Sequence, residues 1–521
     1  MITEDQTAVV TFLAAPSTHG GVAVERIDTH AAVVFLAGDR AFKLKRAVCY
    51  DYLDFSTVEQ RREMCEAEVR INRRTAPALY RGVVAVTREA DESLAFGGSG
   101  APVDWVIEMT RFDQDGLFDR LAARGALGLE LMAPLGAAIA RFHNGAGSRF
   151  DHGGRAGMAW VVNGNAEGLT SEGTGILPRN GCATITSNTR YALDLQSDLL
   201  DARRNAGLVR DCHGDLHLRN IVLIDGRPTL FDAIEFNDEI ACIDVLYDLS
   251  FLLMDLWRRQ LPEHANHVWN AYLAETVDLD GLPLLPLFLS CRAAVRAKTS
   301  AAAARVQVDV TRRAGLETLA RDYLAMAGRL LQSSPPCLIA VGGFSGSGKS
   351  SLALALAPSL GGVPGAVVIR SDDVRKRLCG VKPLDHLGPE SYTAGVNDRV
   401  YAAAAGLAGA VVRGGYVAIV DAVFGRPADR DAIRRTASAA GVQFAGVWLD
   451  APEPVLIVRA EARRADPSDA DATVIRRQLA EPTGAIDWQR LDASVPMAGV
   501  REAATALLSE AHIAASPGSM R

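Results

Sequence analysis

A chain of 521 residues is too long for one ordinary hydrophobic core, and at roughly 100–200 residues per domain it should hold two to four domains. Its apolar content of 49% and charged content of 22% describe an ordinary soluble protein. The net charge of −7 provides no general attraction to nucleic acid or to an anionic membrane, so binding to either would need a local site.

The cysteines and the amino terminus indicate a reducing compartment. The eight cysteines show no CxxC pair and no other metal-binding spacing: Cys49, Cys65, Cys182, Cys212, Cys242, Cys291, Cys337 and Cys379. The first residues, MITEDQTAVV, are acidic where a signal peptide needs basic residues, and no apolar run approaches the roughly 20 residues of a membrane span. We therefore expect a cytoplasmic protein with no membrane partner.

The first predicted elements are short strands followed by a helix. AAVVFLAGDRAFKLKRAV has the pattern of a hairpin turned at Gly38 and Asp39. STVEQRREMCEAEVRINRRT predicts a helix with Ser56 or Thr57 placed to cap it. DWVIEMTRF then predicts a strand and a hinge between two lobes.

A seam divides the chain into two patterns. From about residue 125 to 330 the sequence is mainly helical, with an interruption by a glycine-, threonine- and serine-rich region around 144–188. QSSPP then precedes the apolar run CLIAVGGF, which places a domain boundary near Ser333–Pro336. Beyond it, four apolar runs alternate with helical stretches, as in a parallel sheet covered by helices on both faces. The predicted domains are 1–333, with lobes at about 25–108 and 110–333, then 337–510, and a disordered tail over 511–521.

The stretch HGDLHLRN, residues 213–220, has the spacing of a phosphoryl-transfer loop. In the protein-kinase-like fold, an Asp accepts the proton of the acceptor hydroxyl and an Asn five residues later holds Mg²⁺. Asp215 and Asn220 have that spacing, and Asp232 follows an apolar run where a second metal ligand is needed. This loop is therefore a candidate active site.

Such a site also needs a lysine for the nucleotide phosphates and a glutamate that holds the lysine. RAFKLK supplies Lys43 and Lys45, which lie on the same face of a strand. Lys43 is preferred because an alanine then takes the small position beside the adenine, and Lys45 is the reserve. Glu68 is the chosen partner, and Glu66 or Glu63 could replace it.

The order lysine, glutamate, hinge, HGDxHxxN and aspartate resembles the aminoglycoside phosphotransferase family over about residues 25–300. The resemblance implies an α+β two-lobed protein-kinase-like domain in which Asp215 is the catalytic base. It also implies that Asn220 and Asp232 bind Mg²⁺ and that Lys43 and Glu68 form the nucleotide ion pair. A small-molecule acceptor is favoured because a glycine replaces the arginine of the protein-kinase loop and DAIEF replaces D-F-G.

Two features of this first domain are less regular. Backbone groups near Glu108 to Thr110 are expected to contact adenine, whereas no G-x-G-x-x-G precedes the hairpin and the phosphate-covering loop is placed around STHGGVAVERID. Glu235, Asp238 and Glu239 could hold a cationic acceptor, although a structural role explains this region better.

The stretch GGFSGSGKSS has the G-x-x-x-x-G-K-[ST] pattern between an apolar strand and a helix. Its glycines let backbone N–H groups turn toward phosphates, Lys349 reaches the terminal phosphates and Ser350 ligates Mg²⁺. We therefore expect a second ATP site. Its predicted residues are Gly343, Ser345, Gly346, Ser347, Gly348, Lys349, Ser350 and Ser351.

VVIRSDDVRKRL ends a strand with two acids and a basic cluster. Because carboxyl ends of strands line the ligand crevice, Asp372, Asp373 and Arg375 sit where an acceptor would bind. The alternative is a helix cap at Ser371 or Asp372 with Arg375 in solvent.

Two further segments carry candidates. Asp421 ends another apolar strand and suits a contact with Mg²⁺-bound water or substrate, or a helix cap. Arg459, Arg463 and Arg464 lie where small P-loop kinases carry a basic lid, although the run also suits a solvated helix face. Arg463 is the residue assigned to nucleotide binding.

Residues 337–510 resemble the P-loop small-molecule kinases, the gluconate-kinase-like and polynucleotide-kinase-like group. In the polynucleotide 5′-kinases, D-D-x-R supplies a general base and an arginine that contacts phosphate. The resemblance implies these roles for Asp372 and Arg375, with Lys349 stabilising the transferred group.

The combined interpretation is an ATP- and Mg²⁺-dependent phosphotransferase with two nucleotide-binding modules, acting on a hydroxyl of a small molecule such as a sugar or an aminoglycoside-like compound. Three alternatives stay open. The P-loop half could only sense nucleotide, the chain could be a nucleic-acid 5′-end kinase, which its acidity disfavours, or it could be a non-catalytic ATP-binding scaffold. The sequence specifies neither the acceptor nor the oligomeric state.

Overall fold

A computed structural model describes residues 2–50, 52–382, 384–462 and 468–511. The chain forms two compact units, Met1–Val161 with Ser197–Asp255 and Val162–Gln196 with Leu256–Arg521. The domain limits expected from the sequence stay a prediction, and residues 512–521 of the expected tail lie outside the described residues. Within the described ranges, no helix combines the length and the apolar character that a bilayer span requires.

The first unit is built on a six-stranded antiparallel sheet with strand order β1-β2-β3-β8-β6-β7. Smaller antiparallel pairs are β4 with β5, β9 with β12, and β10 with β11. The strands are β1 (Val24–Asp28), β2 (Ala32–Ala37), β3 (Arg40–Lys45), β4 (Cys49–Tyr50), β5 (Leu53–Asp54), β6 (Tyr80–Arg88), β7 (Leu94–Phe96), β8 (Ala101–Thr110), β9 (Val209–Asp211), β10 (Ile221–Ile224), β11 (Arg227–Leu230) and β12 (Cys242–Asp244). This sheet, together with the helices and short strands that follow it in the chain, forms the α+β kinase-like fold that the sequence predicts.

The β2–β3 hairpin is confirmed with its turn at the expected residues. Ala37 pairs with Arg40, so Gly38 and Asp39 alone form the turn. Gly38 has a φ of +60°, the left-handed conformation that two-residue hairpin turns favour. The short turn sets the register of β3 and so the position of Lys43.

The phosphate-covering loop was expected around STHGGVAVERID, but the turn between β1 and β2 lies after this stretch. The stretch STHGGVAVERID forms a 3₁₀ turn and strand β1, and its two glycines precede that strand. β1 and β2 are instead joined by a turn at 29–31, where the Thr29 hydroxyl donates to the Ala32 carbonyl at 2.9 Å. A side-chain bond therefore closes the turn that a glycine-rich loop would have occupied.

Helix α2 (Val58–Asn72) confirms the predicted helix and decides its cap. Thr57 is the N-cap, and its hydroxyl accepts from the Gln60 N–H at 3.2 Å while the Gln60 side chain accepts from the Thr57 N–H at 3.1 Å. This capping box fixes the start of the helix. Glu68 then falls on the buried face of the helix.

The remaining helices complete both units. The α-helices in chain order are α1 (Thr7–Ala14), α2 (Val58–Asn72), α3 (Phe118–Ala123), α4 (Met132–Gly145), α5 (Gly154–Ser171), α6 (Arg179–Leu195), α7 (Ser197–Asn205), α8 (Asp238–Ala241), α9 (Val245–Arg258), α10 (Pro262–Thr276), α11 (Leu285–Val306), α12 (Val310–Leu330), α13 (Lys349–Leu356), α14 (Ser371–Leu378), α15 (Ala394–Arg413), α16 (Pro427–Ala439), α17 (Glu453–Glu461), α18 (Ala472–Ala480) and α19 (Met497–Glu510). Single 3₁₀ turns lie at Pro16–His19, Gln114–Gly116, Leu129–Leu131, Leu218–Asn220, Leu282–Leu284, Ala357–Ser359 and Pro389–Tyr392.

The expected interruption around 144–188 is wrong for most of its length, because α5 and α6 occupy that region. The Gly164 carbonyl accepts from Lys298 Nζ at 2.9 Å. A Cβ on Gly168 would lie 2.6 Å from Lys298 Cδ. The small residues that weaken helix propensity thus allow α5 to approach α11, and tertiary packing outweighs propensity.

The passage from helix to strand at the predicted seam is observed, since α12 ends at Leu330 and strand β13 begins at Cys337. The sheet beyond it contains five parallel strands in the order β14-β15-β13-β16-β17. Its strands are β13 (Cys337–Gly343), β14 (Val367–Arg370), β15 (Ala418–Asp421), β16 (Gln443–Asp450) and β17 (Gln489–Asp492). The predicted α/β P-loop fold is confirmed.

Strand β17 is the one strand of this sheet that sequence analysis missed. Its sequence, QRLD, has a single apolar residue, Leu491, and the strand lies at the edge of the sheet. A half-exposed edge strand needs no apolar run, which is why no period-two pattern marked it. The core of the domain contains Ile339, Ile419, Leu449 and Leu491.

Candidate active sites

Lys43 and Lys45 both contact one buried carboxylate. Lys43 Nζ lies 2.7 Å from Oε1 of Glu68, and Lys45 Nζ lies 2.6 Å from Oε2. Each lysine has a second acidic partner, because Lys43 Nζ lies 2.5 Å from Oδ1 of Asp232 and Lys45 contacts Glu235. The structure thus brings together the predicted lysine–glutamate pair and a predicted metal ligand.

Exposure distinguishes the two lysines. The Lys43 side chain is 17% exposed, whereas that of Lys45 is 2% exposed. Lys45 Nζ also lies 4.8 Å from the centroid of the Phe55 ring, which is itself buried. Because a lysine that binds phosphate has to reach solvent-filled space, the geometry favours Lys43 for that role and gives Lys45 a structural role.

The charges in this network stabilise one another. Burial alone would raise the pKa of Glu68, but the ammonium groups of Lys43 and Lys45 outweigh burial and hold it at about 2. Burial alone would lower the pKa of Lys43, but Asp232 and Glu68 raise it well above its ordinary value. Burial raises the pKa of the Glu235 carboxyl against the opposing effect of Lys45. Lys43 and Glu68 are consequently charged across the neutral pH range.

Asp215 and Asn220 are in direct contact. Asn220 Nδ2 donates to the Asp215 backbone carbonyl at 2.9 Å and to its Oδ2 at 3.0 Å. His217 Nε2 lies 3.3 Å from the same Oδ2, and its ring packs edge-on against Phe251. The Asp215 side chain is still 36% exposed. A carboxylate that is oriented by neighbours and open to solvent has the geometry of a general base.

The loop that carries Asp215 is anchored by acids of helix α9. Asp248 accepts from the backbone N–H groups of His213 at 3.1 Å and Gly214 at 2.9 Å. Asp255, two helical turns further on, accepts from the Leu218 N–H at 3.2 Å. Sequence analysis missed Asp255, although an acid two turns after Asp248 in an otherwise apolar helix was a usable signal.

Asp232 has a conformation uncommon for a residue with a side chain, with a φ of +62°. Its N–H donates to the Tyr80 hydroxyl at 3.2 Å, and the N–H of Phe231 donates to the Asn220 carbonyl at 3.0 Å. These bonds hold the backbone where the Asp232 carboxylate reaches Lys43. Strained backbone that is fixed in this way is frequent at functional sites.

Backbone groups near Glu108 and Thr110, the predicted contacts of adenine, lie in a strand that is hydrogen-bonded within the sheet. Strand β8 pairs with β3 on one side and β6 on the other, and the Thr110 N–H donates to the Leu79 carbonyl at 2.8 Å. The Glu108 carboxylate lies 3.1 Å from Arg40. A cavity of about 480 Å³ adjoins the residues after the strand and is lined by Glu25, Gly38, Asp39, Arg111, Phe112, Asp113, Gln114, Asp115 and Arg120. The predicted contact of Glu108 to Thr110 with adenine stays a prediction.

The acids that could have held a cationic acceptor have internal partners. Glu235 contacts Lys45, and Asp238 Oδ2 accepts from Arg149 at 3.0 Å. Glu239 lies 3.8 Å from the ring of His152. These contacts favour the structural interpretation of this acidic segment.

The phosphate-binding loop of the second unit has the backbone that its glycines predict. Gly343, Gly346 and Gly348 have φ values of +138°, +86° and +91°. A Cβ on Gly346 would lie 2.2 Å from the Leu456 carbonyl oxygen, so only glycine fits there. Ser345 and Ser347 are buried within the loop, and Ser351 is exposed in the helix that follows.

The two predicted metal ligands of this unit are in contact. The Ser350 hydroxyl donates to Oδ2 of Asp421 at 2.5 Å, and Arg370 Nε lies 3.7 Å from the same oxygen. Burial raises the pKa of Asp421, against the effects of Lys349 and Arg370. Hydroxyl and carboxylate oxygens are the donors that Mg²⁺ prefers, and the amide and carboxylate of Asn220 and Asp232 share that chemistry. Both sets of residues fit the metal that the sequence predicts.

Asp372 and Asp373 lie in the first turn of α14, at the carboxyl end of β14. The cap alternative is wrong, because Arg370 is the N-cap residue and makes no side-chain capping bond. Burial raises the pKa of Asp373 to about 6, with smaller contributions from Asp372 and Asp421 that Arg370 opposes. A carboxyl whose pKa is raised in this way, at the carboxyl end of a strand of the sheet, is a candidate acid–base group.

Arg375 is not solvated as the cap alternative required. It is 7% exposed, its guanidinium donates to the Ser391 carbonyl at 2.7 Å and its carbon lies 4.7 Å from the centroid of the Tyr392 ring. Its expected contact with phosphate stays a prediction. Of the predicted basic lid, Arg459 donates to the Ala493 carbonyl at 2.6 Å, whereas Arg463 and Arg464 lie outside the described residues.

Two features of the second unit were missed. A cavity of about 480 Å³ at the carboxyl ends of β16 and β17 is lined by Asp450, Ala451, Pro452, Arg490, Leu491, Asp492 and Ser494. Gln478 of α18 contacts Ser345 of the phosphate-binding loop. Neither belongs to a sequence motif, so composition and spacing could not have marked them.

Comparisons with known proteins match this arrangement. The AAA domain family matches residues 338–483. Uncharacterized protein Rv2004c of Mycobacterium tuberculosis and Uncharacterized protein Mb2027c of Mycobacterium bovis are each 31% identical over 488 residues, which cover 90% of this chain and 92% of the relative. The chain belongs to the family of these mycobacterial proteins. The family relationship therefore extends over both units, and the AAA match falls within the second.

Solved structures that are similar to this chain fall into two groups by the share of this chain that the match covers. A gluconokinase from Sinorhizobium meliloti is 25% identical, with a TM-score of 0.25, and the match covers 34% of this chain and 94% of that one. The amicoumacin kinase hAmiN is 14% identical, with a TM-score of 0.39, and the match covers 62% and 94%. A choline/ethanolamine kinase family protein from Mesorhizobium loti is 16% identical, with a TM-score of 0.36, and the match covers 61% and 97%.

Proposed function

We propose that this chain is an ATP-dependent phosphotransferase with two nucleotide-binding modules, the first of which phosphorylates a hydroxyl group of a small molecule. The observation that carries the proposal is the position of Lys43 Nζ, 2.7 Å from Glu68 and 2.5 Å from Asp232. One ammonium group then belongs to both the nucleotide ion pair and the metal site. Positioning and electrostatic stabilisation of this kind are what phosphoryl transfer needs from a protein.

In the first module, Lys43 orients the α- and β-phosphates and Asn220 and Asp232 hold Mg²⁺. The metal, when bound, neutralises charge on the phosphates. The acceptor oxygen forms a bond to the γ-phosphorus while the bond to the β–γ bridging oxygen breaks. Asp215 accepts the hydroxyl proton, and ADP and the phosphorylated acceptor leave. His217 and Asn220 orient the Asp215 carboxylate through the contacts described above.

In the second module, Ser350 and Asp421 hold Mg²⁺ and Lys349 stabilises the transferred group. Asp372 is the proposed base for an acceptor hydroxyl, and Asp373 lies beside it with a pKa near 6. Arg375 would contact phosphate after release from its present contact with Tyr392. A sugar or an aminoglycoside-like compound is the proposed class of acceptor for the chain.

A transfer assay tests this function. The full-length protein is incubated with Mg-ATP and a fractionated metabolite extract, with oligonucleotides as a separate acceptor, and mass spectrometry identifies the product that gains a phosphoryl group. Loss of a small-molecule product in Asp215→Asn, with the product retained in Lys349→Ala, supports transfer by the first module, whereas loss in Lys349→Ala alone would reverse the assignment. Transfer only to oligonucleotide 5′ ends, or a product that survives both substitutions, would contradict the proposal.

A further inference from the structure

One peptide group of the phosphate-binding loop is held from both of its ends. The carbonyl of Phe344 accepts from Lys349 Nζ at 3.1 Å, and the N–H of Ser345 in the same peptide donates to Oε1 of Gln478 at 2.9 Å. Gln478 Nε2 also donates to the Ser345 hydroxyl at 3.1 Å. The glutamine therefore contacts both the N–H and the hydroxyl of Ser345 from a position 133 residues away in the chain.

Helices α17 and α18 also shape this loop by packing. Gly346 lies so close to the Leu456 carbonyl that a Cβ would be 2.2 Å from it. Phe344 packs on a buried cluster made by Leu456, Ala460 and Ile475. The two bonds from Gln478 thus add to packing contacts that tie the loop to this pair of helices.

Lys349 and Gln478, the two side chains that bond this peptide, should respond differently to a bound phosphate. A terminal phosphate draws Lys349 toward itself, because that is the ligand of a P-loop lysine. The lysine then leaves the Phe344 carbonyl, which keeps its bond from the Ser347 N–H at 3.1 Å, while the N–H end of the peptide is held by Gln478. A neutral amide can keep this contact beside a phosphate, since it donates and accepts hydrogen bonds without adding negative charge.

We propose that Gln478 is a positioning residue of the P-loop site, which keeps the Phe344–Ser345 peptide in the orientation that receives the terminal phosphates. By the same contact it couples helix α18 to the occupancy of the loop. The inference rests on the proposed function, in which this loop binds ATP. It predicts that Gln478 affects a nucleotide with a γ-phosphate more strongly than one without it.

Two substitutions of Gln478 distinguish the effect of losing its hydrogen bonds from the effect of adding a charge. Gln478→Met keeps the size of the side chain and removes both hydrogen bonds. Gln478→Glu can still accept from the N–H and the hydroxyl of Ser345, but it places a carboxylate beside the phosphates. Gln443→Glu is the matched control, because Gln443 is exposed at the opposite, amino-terminal end of strand β16.

The experiment measures ATP and ADP affinities of the full-length variants by calorimetry, with the P-loop site defined as the binding component that Lys349→Ala removes. We expect Gln478→Met to weaken ATP about fivefold, the worth of roughly one hydrogen bond, and to weaken ADP less. Gln478→Glu should weaken ATP at least about tenfold through like-charge repulsion, again with a smaller effect on ADP. Gln443→Glu should bind both nucleotides as the wild type does.

A purely structural role predicts another pattern. The inference is overturned if Gln478→Glu binds ATP with wild-type affinity, or if both variants weaken ATP and ADP equally. If the wild type shows no binding that depends on Lys349, the proposed function of this module fails first and the inference falls with it. Should Gln478→Glu unfold, the ATP-to-ADP ratio of Gln478→Met alone decides the matter.

Discussion

Lys43 Nζ lies 2.5 Å from Oδ1 of Asp232, which follows it by 189 positions in the chain. The same nitrogen contacts Glu68, so strand β3, helix α2 and the segment after strand β11 each contribute a residue to one cluster of charges. Asp232 keeps 43% of its side chain exposed, which leaves the carboxylate open to a metal and a nucleotide. Because Lys43 contacts Asp232 and Lys45 does not, substitutions can distinguish the roles of the two lysines.

Lys43→Met should reduce phosphoryl transfer by the first module about 100-fold or more, as does the loss of other groups that stabilise the transition state. Its stability should change less than that of Lys45→Met, because Glu68 keeps its contact with Lys45. Initial rates with the identified acceptor test the loss of transfer, and urea unfolding of both variants tests the difference in stability. A larger loss of rate in Lys45→Met, with unchanged stability, would exchange the two roles.

Lys45→Met should lower the free energy of unfolding by about 3–5 kcal/mol, because it leaves the buried Glu235 carboxylate without its partner. Burial raises the pKa of Glu235, so its protonated form favours the folded state and the deficit should be smaller at low pH than at high pH. The double variant Lys45→Met/Glu235→Leu should recover part of the loss. A deficit that is independent of pH and unchanged in the double variant would count against the ion pair.

Some contacts of the site follow from local spacing in the sequence. Asp215 and Asn220 lie in one loop, where a spacing of five residues determines their contact. Lys43 and Lys45 could not be distinguished, because strand side chains two apart share a face and only tertiary packing buries one more than the other. The P-loop fold was predictable from its local strand–loop–helix pattern, whereas the kinase-like fold was predicted only through the family resemblance.

Contacts made by tertiary packing could not be predicted. Gln478 reaches Ser345 across 133 residues, and nothing in the sequence of α18 marks it. The bond from the Thr110 N–H to the Leu79 carbonyl is another such contact, because it depends on the path of the chain into β6. Strand β17 was missed for a similar reason, because an edge position requires little apolar sequence.

Asp373 should make stability depend on pH. Its pKa of about 6 in the folded state lies above the value of about 3.9 expected when unfolded, so the folded state binds the proton more tightly. The stabilisation is present below about pH 4 and is lost as the pH rises through about 6. Asp373→Asn should therefore be more stable than the wild type at about pH 8, by an amount that shrinks toward about pH 4. Urea unfolding across this range tests the prediction, and a constant difference would refute it.

Helix α10 covers the free edge of strand β14. Asn266 is fully buried, and its Nδ2 donates to the carbonyls of Pro364 at 3.0 Å and Ala366 at 3.1 Å. Asn266→Ala leaves both carbonyls without this donor and should cost about 1–3 kcal/mol in the free energy of unfolding. Glu275→Ala is the control, because Glu275 is exposed on the same helix and should change stability by less than about 0.5 kcal/mol. Equal effects of the two substitutions would show that the edge contact contributes nothing.

The central claim is that one chain carries two separate ATP sites, and a count of bound nucleotides tests it most directly. Native mass spectrometry of the full-length protein with Mg²⁺ and a non-hydrolysable ATP analogue should show two nucleotides bound per chain. Lys43→Ala and Lys349→Ala should each retain one, and the double variant should retain none. A single nucleotide on the wild-type chain, or two on the Lys349→Ala chain, would contradict the account.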